Sequence, residues 1–211
     1  RDIVLAFAFT FCSVTPLYYL VFLPLYYAAP GLAQWWTDWW FYPLIHIDPD
    51  GTLPFALNLW ELLSLTVFAP IVEELLFRGV LLQTLAARHG LLPAALYSSV
   101  LFGLFHADPL GGALFGLVMC ILYVRSQSLW VPIVTHALYN LVIWLWDLAG
   151  VNLEGEAYYH YDLHDIFVEW IWAPLWLLAA LIAMDRFIRH GRPASGLTLP
   201  TMPVPPHAAP D

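Results

Sequence analysis

Residues 91–124 read LLPAALYSSVLFGLFHADPLGGALFGLVMCILYV and contain one Asp, one His and no Lys, Arg or Glu. Two apolar runs make up this stretch, from Leu91 to Ala107 and from Leu110 to Val124, with an Asp-Pro dipeptide between them. A helix needs about 20 apolar residues to cross the hydrocarbon core of a bilayer. The stretch therefore predicts two membrane helices joined by a short connection.

Further apolar runs flank this pair. Of the 211 residues, 61% are hydrophobic and 11% are charged, whereas soluble domains carry about 25% charged residues. We therefore predict an all-α, polytopic membrane bundle of about six transmembrane helices, the second of which is long enough to be broken at Pro70. The other runs are Ile3 to Tyr27, Leu53 to Ala87, Leu129 to Leu148 and Ile166 to Met184.

Two segments differ from the apolar runs in composition. From Pro193 the chain is rich in Pro and Ala and poor in large apolar side chains, which predicts a transmembrane domain over residues 1–192 and a disordered cytoplasmic tail over residues 193–211. The Trp-rich stretch from Gln34 to Tyr42 is typical of a segment at the membrane interface, where amphipathic rings are favoured.

The charged residues are unevenly distributed. With 16 acidic against seven basic residues, the chain lacks the clustered Lys and Arg that phosphate binding requires, which excludes nucleic acid as a partner. By the positive-inside rule, the side that collects the arginines is cytoplasmic and holds both termini. A six-helix zigzag puts on that side Arg1, Arg88, Arg125, Arg186, Arg189 and Arg192.

Three short motifs introduce polar residues into the apolar runs. They are E-E-L-L-F-R at residues 73–78, F-G-L-F-H at residues 102–106 and H-A-L-Y-N at residues 136–140. A charge at the centre of a membrane helix costs about 2.5 to 3.5 kcal/mol, so a charge that persists there has a partner or a function.

In the first motif, Glu74 and Arg78 are four residues apart and are predicted to form an ion pair on one helix face. Glu73 lies about 100° further round the helix, without that partner. A carboxylate that is not neutralised and lies near a His is suited to general acid and base catalysis. The alternative is a structural bridge in which both acids share Arg78.

The second and third motifs each place a His one turn from another residue. Phe102 and His106 are predicted to share a helix face, and Gly103 permits close approach of a neighbouring helix. His136 and Asn140 also share a face. Considered alone, His106 could instead be a core histidine whose hydrogen bonds are satisfied. Likewise, His136 and Asn140 alone could instead form hydrogen bonds between helices.

Together, Glu73, His106, His136 and Asn140 supply a base, an orienting imidazole and donors for an oxyanion, as in a hydrolase. The chain offers no nucleophile in a recognisable context, because no Ser lies in G-x-S-x-G and neither Cys has a local partner. Water is then the attacking species, activated by Glu73 with His106.

The three motifs resemble those of the CAAX protease and bacteriocin-processing (CPBP, or Abi) family of intramembrane proteases. The family pattern is E-E-x-x-x-R, then F-x-x-x-H, then H-x-x-x-N or H-x-x-x-D, on successive membrane helices. All three occur here in that order, and the resemblance covers a motif core of about residues 60–146.

The resemblance implies a glutamate-type endopeptidase that hydrolyses a peptide bond with an activated water. By this resemblance Glu73 and His106 activate the water, while His136 and Asn140 stabilise the oxyanion. The residues that it implies to support this catalytic set are Glu74, Arg78 and Phe102.

Members of the family have also been called metalloproteases. If a zinc ion were bound, its ligands would be Glu73, His106 and His136 with a water. The sequence has no His-Glu-x-x-His helix, and the glutamate mechanism requires no metal. We therefore expect neither a metal nor another cofactor.

The substrate is not specified by the sequence. Eukaryotic members trim prenylated C-terminal tails, whereas bacterial relatives are linked to peptide maturation, immunity and removal of C-terminal sorting helices. This short chain is similar to the bacterial members, which implies a bacterial inner membrane location. It also implies cleavage of a membrane-associated peptide or protein, with a C-terminal tail or transmembrane segment, near its C-terminus.

Two other functions stay open at this point. A proton-coupled transporter uses intramembrane Glu, His and Arg relays just as naturally. A non-catalytic membrane scaffold or immunity protein would keep these polar residues to hold its helices together.

Counting residues from the cytoplasmic arginines places the three motifs at different depths in the membrane. At about 1.5 Å per residue from the cytoplasmic arginines, Glu73 and His106 lie more than about 20 Å from that side, but His136 about 10 to 15 Å. Either the third and fifth spans are tilted and offset, or one is broken, with Pro132 as a candidate. The membrane face to which the site opens is left undecided.

Overall fold

The computed structural model describes residues 1–40, 42–159, 168, 170–190 and 199. These residues form α-helices with short 3₁₀ turns and contain no strand, which confirms the predicted all-α bundle. Apart from residue 199, the predicted disordered tail lies outside the described residues. The helices are α1 (Asp2–Ala28), α2 (Pro30–Trp40), α3 (Phe55–His89), α4 (Leu91–Leu104), α5 (Pro109–Ser126), α6 (Trp130–Glu154) and α7 (Ala173–His190).

The chain is an integral membrane protein. Among the described residues, five helices are long and apolar enough to cross a bilayer: α1, α3, α5, α6 and Trp170–Arg189, which includes most of α7. The third predicted span is shorter than predicted, because α4 has 14 residues and ends at Leu104. At 1.5 Å per residue it covers about 21 Å, less than the roughly 30 Å of a hydrocarbon core.

Helix α3 runs unbroken through Pro70, so the predicted break there is wrong. The helix instead widens into two π-helical segments, Ser64–Phe68 and Leu75–Leu81. In the first of them the amide of Ala69 donates to the carbonyl of Ser64, five residues earlier. The wider turn accommodates a proline, which lacks an amide proton and would disturb an α-helical ladder.

The length of α3 also makes the depth counted from the cytoplasmic arginines unreliable. At 1.5 Å per residue, the 35 residues of α3 correspond to about 52 Å, which exceeds the roughly 30 Å of a hydrocarbon core, so Arg88 near the end of the helix does not mark the edge of that core. Helix α6 continues through Pro132 without a break, so the suggested interruption there is also wrong.

The short helix α4 packs closely on α5 through glycines. A Cβ atom added to Gly103 would collide with the carbonyl oxygen of Pro109 and lie 2.7 Å from the amide nitrogen of Ala113, which confirms the predicted close approach. From the other helix, a Cβ at Gly112 would lie 3.0 Å from the Cα atom of Gly103. Membrane helices associate through such contacts because lipid tails are as apolar as Leu, and this contact holds the end of α4 against the start of α5.

Helix α2 lies against α1 and corresponds to the predicted interfacial segment. Its inner face buries Ala33 and Thr37, and Trp36 packs on Phe22 of α1, with ring centroids 5.4 Å apart. Its outer face exposes Trp35 and Trp39. This division into two faces is the pattern expected of a helix that lies along a membrane surface.

Candidate active site

The first motif forms a fully buried ion pair, as predicted. In α3, Nη1 of Arg78 donates to Oε1 of Glu74 at 2.9 Å, and both side chains are 0% exposed. The other guanidinium nitrogen, Nη2, donates to the carbonyl of Gly116 on α5 at 3.0 Å. A Cβ atom at position 116 would lie 3.4 Å from that nitrogen, so the glycine keeps the approach open.

The third motif joins this pair through its histidine. Nδ1 of His136, on α6, lies 3.0 Å from Oε1 of Glu74 and donates to it. The neutral ring then presents Nε2 as an unprotonated nitrogen. The sequence indicated that His136 joins the Glu73 site directly, whereas the structure bonds it to the neighbouring acid.

Glu73 points away from this pair, as the helix geometry predicts. Its Oε2 atom lies 3.7 Å from Nε2 of His106. Oε2 is itself shielded from solvent and accepts no hydrogen bond from the described residues. Because 3.7 Å exceeds the length of a direct hydrogen bond, the two groups face each other across a gap.

His106 does not lie on a helix, because α4 ends two residues earlier, so the predicted shared helix face is wrong. The ring nevertheless stacks on Phe102, with centroids 4.4 Å apart and planes at 24°. Its Nδ1 lies 2.7 Å from the carbonyl of Phe102, which can only accept, so Nδ1 donates. This bond leaves Nε2 as the nitrogen that faces Glu73.

Asn140 has a structural bond in addition to its place at the site. Its Nδ2 atom donates to the carbonyl of Leu65 at 2.8 Å. In the π-helical register of this part of α3, the partner of that carbonyl would be the amide of Pro70, which has no proton. The Asn140 amide supplies the missing donor, and its second N–H proton stays available to another acceptor.

His106 and His136 line the same cavity, which has a volume of about 290 Å³. Its wall includes Phe102, His106, His136 and Asn140, whereas Glu73 is not part of the wall and reaches the site through His106. The remaining wall comes from α1, α2, α5, α6 and the turn between α4 and α5: Thr10, Val14, Leu17, Trp40, Ala107, Asp108, Gly111, Gly112, Leu114, Phe115, Tyr139 and Ile143.

The arrangement does not fit a zinc ion. Within the described part of the chain, no three His, Cys, Asp or Glu side chains lie close enough to hold a metal ion. The set suggested by the sequence, Glu73, His106 and His136, is therefore not such a group. The geometry therefore gives no support for a step that involves a metal.

Comparison with known proteins places these motifs in a family. A family model described as "Type II CAAX prenyl endopeptidase Rce1-like" matches residues 55–142, which include all three motifs. Over this segment the match supports the resemblance to the CPBP family. The matched segment runs from the start of α3 to the middle of α6 and so contains every candidate site residue.

A curated relative supports the same assignment. The chain is 34% identical over 90 residues to a Bacillus subtilis (strain 168) protein named "Putative membrane peptidase YdiL". The aligned segment covers 41% of this chain and 37% of the relative, so the chain spans little more than a third of that relative's length. No solved structure matches the chain.

One acidic residue at the candidate site is not part of the three sequence motifs. Asp108 lies at the wall of the cavity, two residues after His106, and caps α5 by accepting from the amide of Gly111 at 2.7 Å. A Cβ atom at position 111 would collide with this carboxylate, so the cap needs a glycine there. The signal was present as an Asp immediately before a Pro at the start of an apolar run.

Burial of the Asp108 carboxyl raises its pKa from 3.8 to about 6, and the amides of Gly111 and Leu110 only partly oppose this. Protons therefore bind the folded state more tightly, and stability falls as the pH rises from about 4 to about 6. We expect Asp108→Asn, which retains a capping oxygen, to be more stable than the parent at pH 7 by about 1 to 3 kcal/mol and equal to it at pH 4.

Thermal unfolding in detergent at a series of pH values measures this difference. The matched control is Asp38→Asn, because Asp38 is an exposed acid on α2, and it should follow the parent at every pH. If Asp108→Asn and the parent lose stability in parallel between pH 4 and pH 7, the buried carboxyl is not the group that titrates.

Proposed function

We propose that this chain is an intramembrane endopeptidase of the glutamate type that hydrolyses a peptide bond with an activated water. The observation that carries the proposal is the gap of 3.7 Å between Oε2 of Glu73 and Nε2 of His106 beside a cavity that His136 and Asn140 also line. Since Oε2 is shielded from bulk solvent, the water would come from the cavity that His106 lines, lie beside the two acceptors and donate a hydrogen bond to each of them.

In the first step, the water oxygen attacks the carbonyl carbon of the peptide, and Glu73 takes the water proton. His106 orients the water through Nε2, since its Nδ1 proton is used by the Phe102 carbonyl. In the second step, the C–N bond breaks and Glu73 returns the proton to the leaving amine. One water is consumed, and the products are a carboxylic acid and an amine, which exchange a proton to give a carboxylate and an ammonium group.

The tetrahedral intermediate carries a negative oxygen that needs donors. The second N–H of Asn140 is one such donor. His136, whose Nδ1 is bonded to Glu74 at 3.0 Å, also lines the cavity, and its Nε2 atom is a donor when it carries a proton. The ion pair of Glu74 with Arg78 would therefore support the site by holding this ring in place.

The substrate that we propose is a membrane-associated peptide or protein, cut near its C-terminus within a tail or transmembrane segment. The cavity is walled by long membrane helices, so an extended peptide would approach it from the bilayer or its surface. We further propose a location in the bacterial inner membrane, on the basis of the resemblance to bacterial family members, with both termini cytoplasmic, on the basis of the arginine distribution.

The reaction as proposed uses no metal or other cofactor. The base and the oxyanion donors are protein groups, and the histidines are tied to Phe102 and Glu74 rather than to each other. A chelator should therefore leave the rate of cleavage unchanged.

The test uses the purified chain in liposomes with membrane peptides that carry C-terminal tails, and mass spectrometry identifies the products. We expect cleavage by the parent, with and without a chelator, and its loss in His106→Ala. Inhibition by a chelator that added zinc reverses would overturn the metal-free mechanism. Proton flux across the liposome membrane without cleavage of any peptide would overturn the protease and favour the transporter.

A further inference from the structure

Helix α2 makes one specific bond to the turn that carries His106. Nε1 of Trp36 donates to the carbonyl of Ala107 at 2.9 Å, across 71 residues of sequence. Trp40, one turn later on the same face, lines the cavity. A helix outside the matched family segment therefore reaches the catalytic cavity at two points.

The other hydrogen bonds of the turn go to α4 and α5, the two helices that it joins. Helix α4 has ended, and the Phe105 side chain that precedes His106 is 79% exposed, with one edge contact to the ring of Phe77 at 6.4 Å between centroids. The bonds of His106 itself go back to α4, from its amide to the carbonyl of Gly103 at 2.9 Å and from Nδ1 to the carbonyl of Phe102. The indole of Trp36 thus bonds the far side of this turn to a third helix, α2.

We propose that Trp36 is a positioning residue for His106. Its indole N–H holds the carbonyl that follows the histidine and so fixes the imidazole opposite Glu73. This inference rests on the proposed function of the site, and it extends the functional unit to α2.

The hydrogen bond from Trp36 would affect the rate through the position of His106, not through a part in the reaction itself. A displacement of about 1 Å at a catalytic group can reduce a rate about a hundredfold. Trp36 also packs on Phe22, so a test must separate the N–H proton from the bulk of the ring. Trp36→Phe retains an aromatic ring and removes the donor.

We expect Trp36→Phe to lower kcat between about tenfold and a hundredfold while KM for the peptide stays within about twofold. Hydrogen exchange should become faster for the amides of residues 103–108 and stay unchanged in α6. The matched control is Trp39→Phe, on the exposed face of the same helix, which should behave as the parent in both measurements.

A second variant removes the N–H donor of Trp36 without changing how the ring packs. Benzothienylalanine at position 36 replaces the indole N–H by sulfur and keeps the shape of the bicyclic ring. If Trp36→Phe fails to fold, this variant carries the test, and faster exchange at residues 103–108 with a lower kcat supports the inference.

Parental kcat and parental exchange at residues 103–108 in the benzothienyl variant would overturn the role of Trp36. Hydrogen exchange does not depend on peptide cleavage. If the parent cuts no peptide, the proposed protease fails, and the exchange data still decide whether Trp36 holds the turn.

Discussion

Glu73→Gln is expected to reduce peptide cleavage by about 10³-fold or more, since an amide cannot take the proton of the attacking water. The substitution keeps the size of the side chain and its ability to accept a hydrogen bond. Because Glu73 is 29% exposed and belongs to no buried ion pair, folding should be little affected, with a change in unfolding free energy of less than about 1 kcal/mol. Initial rates of cleavage and thermal unfolding in detergent measure the two effects.

The same helix offers a matched control. Glu61 is also 29% exposed and faces a histidine, His46, at 4.0 Å, but neither residue lines the cavity. Glu61→Gln should therefore cleave at the parental rate. A Glu73→Gln protein that cleaves within about tenfold of the parent would remove Glu73 from the mechanism, whatever the control does.

The contacts of the first motif could be predicted from the sequence, because they depend on the geometry of one helix. The pair of Glu74 with Arg78 follows from a spacing of four residues, and the different direction of Glu73 follows from the 100° between successive residues. Neither conclusion needs to know how the helices pack.

Contacts between helices were harder to predict. The bond of His136 to Glu74 joins residues 62 apart and depends on how α6 lies against α3. The two glutamates are adjacent, so the motif alone cannot tell which of them faces α6. Asn140 poses the same problem, because its bond to Leu65 arises only from the π-helical turn that accommodates Pro70.

The residue at which α4 ends could not be predicted from the amino-acid composition. Residues 105–107 are as compatible with a helix as those before them, and the turn is imposed by the cap that Asp108 places on α5. Trp36 gave no sequence signal for its bond to Ala107, since an interfacial tryptophan is expected in that position for its affinity to the membrane surface alone.

The second large effect is expected on stability rather than on cleavage alone. Arg78→Met should lower the free energy of unfolding by about 3 to 5 kcal/mol, because it leaves the fully buried Glu74 carboxylate without its cation. It also removes the bond to Gly116 and the contact with the ring of Phe102, whose centroid lies 4.6 Å from the guanidinium carbon. Unfolding in mixed micelles, followed by Trp fluorescence, measures the loss.

Two further variants identify the cause. Arg189→Met breaks another pair with a spacing of four, to Asp185, but that arginine is 72% exposed, so the change should stay within about 0.5 kcal/mol. In Glu74→Gln/Arg78→Met no unpaired charge is left, and the double variant should recover about 1 to 3 kcal/mol relative to Arg78→Met. If the double variant is as unstable as the sum of the single ones, the loss comes from packing, and the ion pair does not hold His136 by its charge.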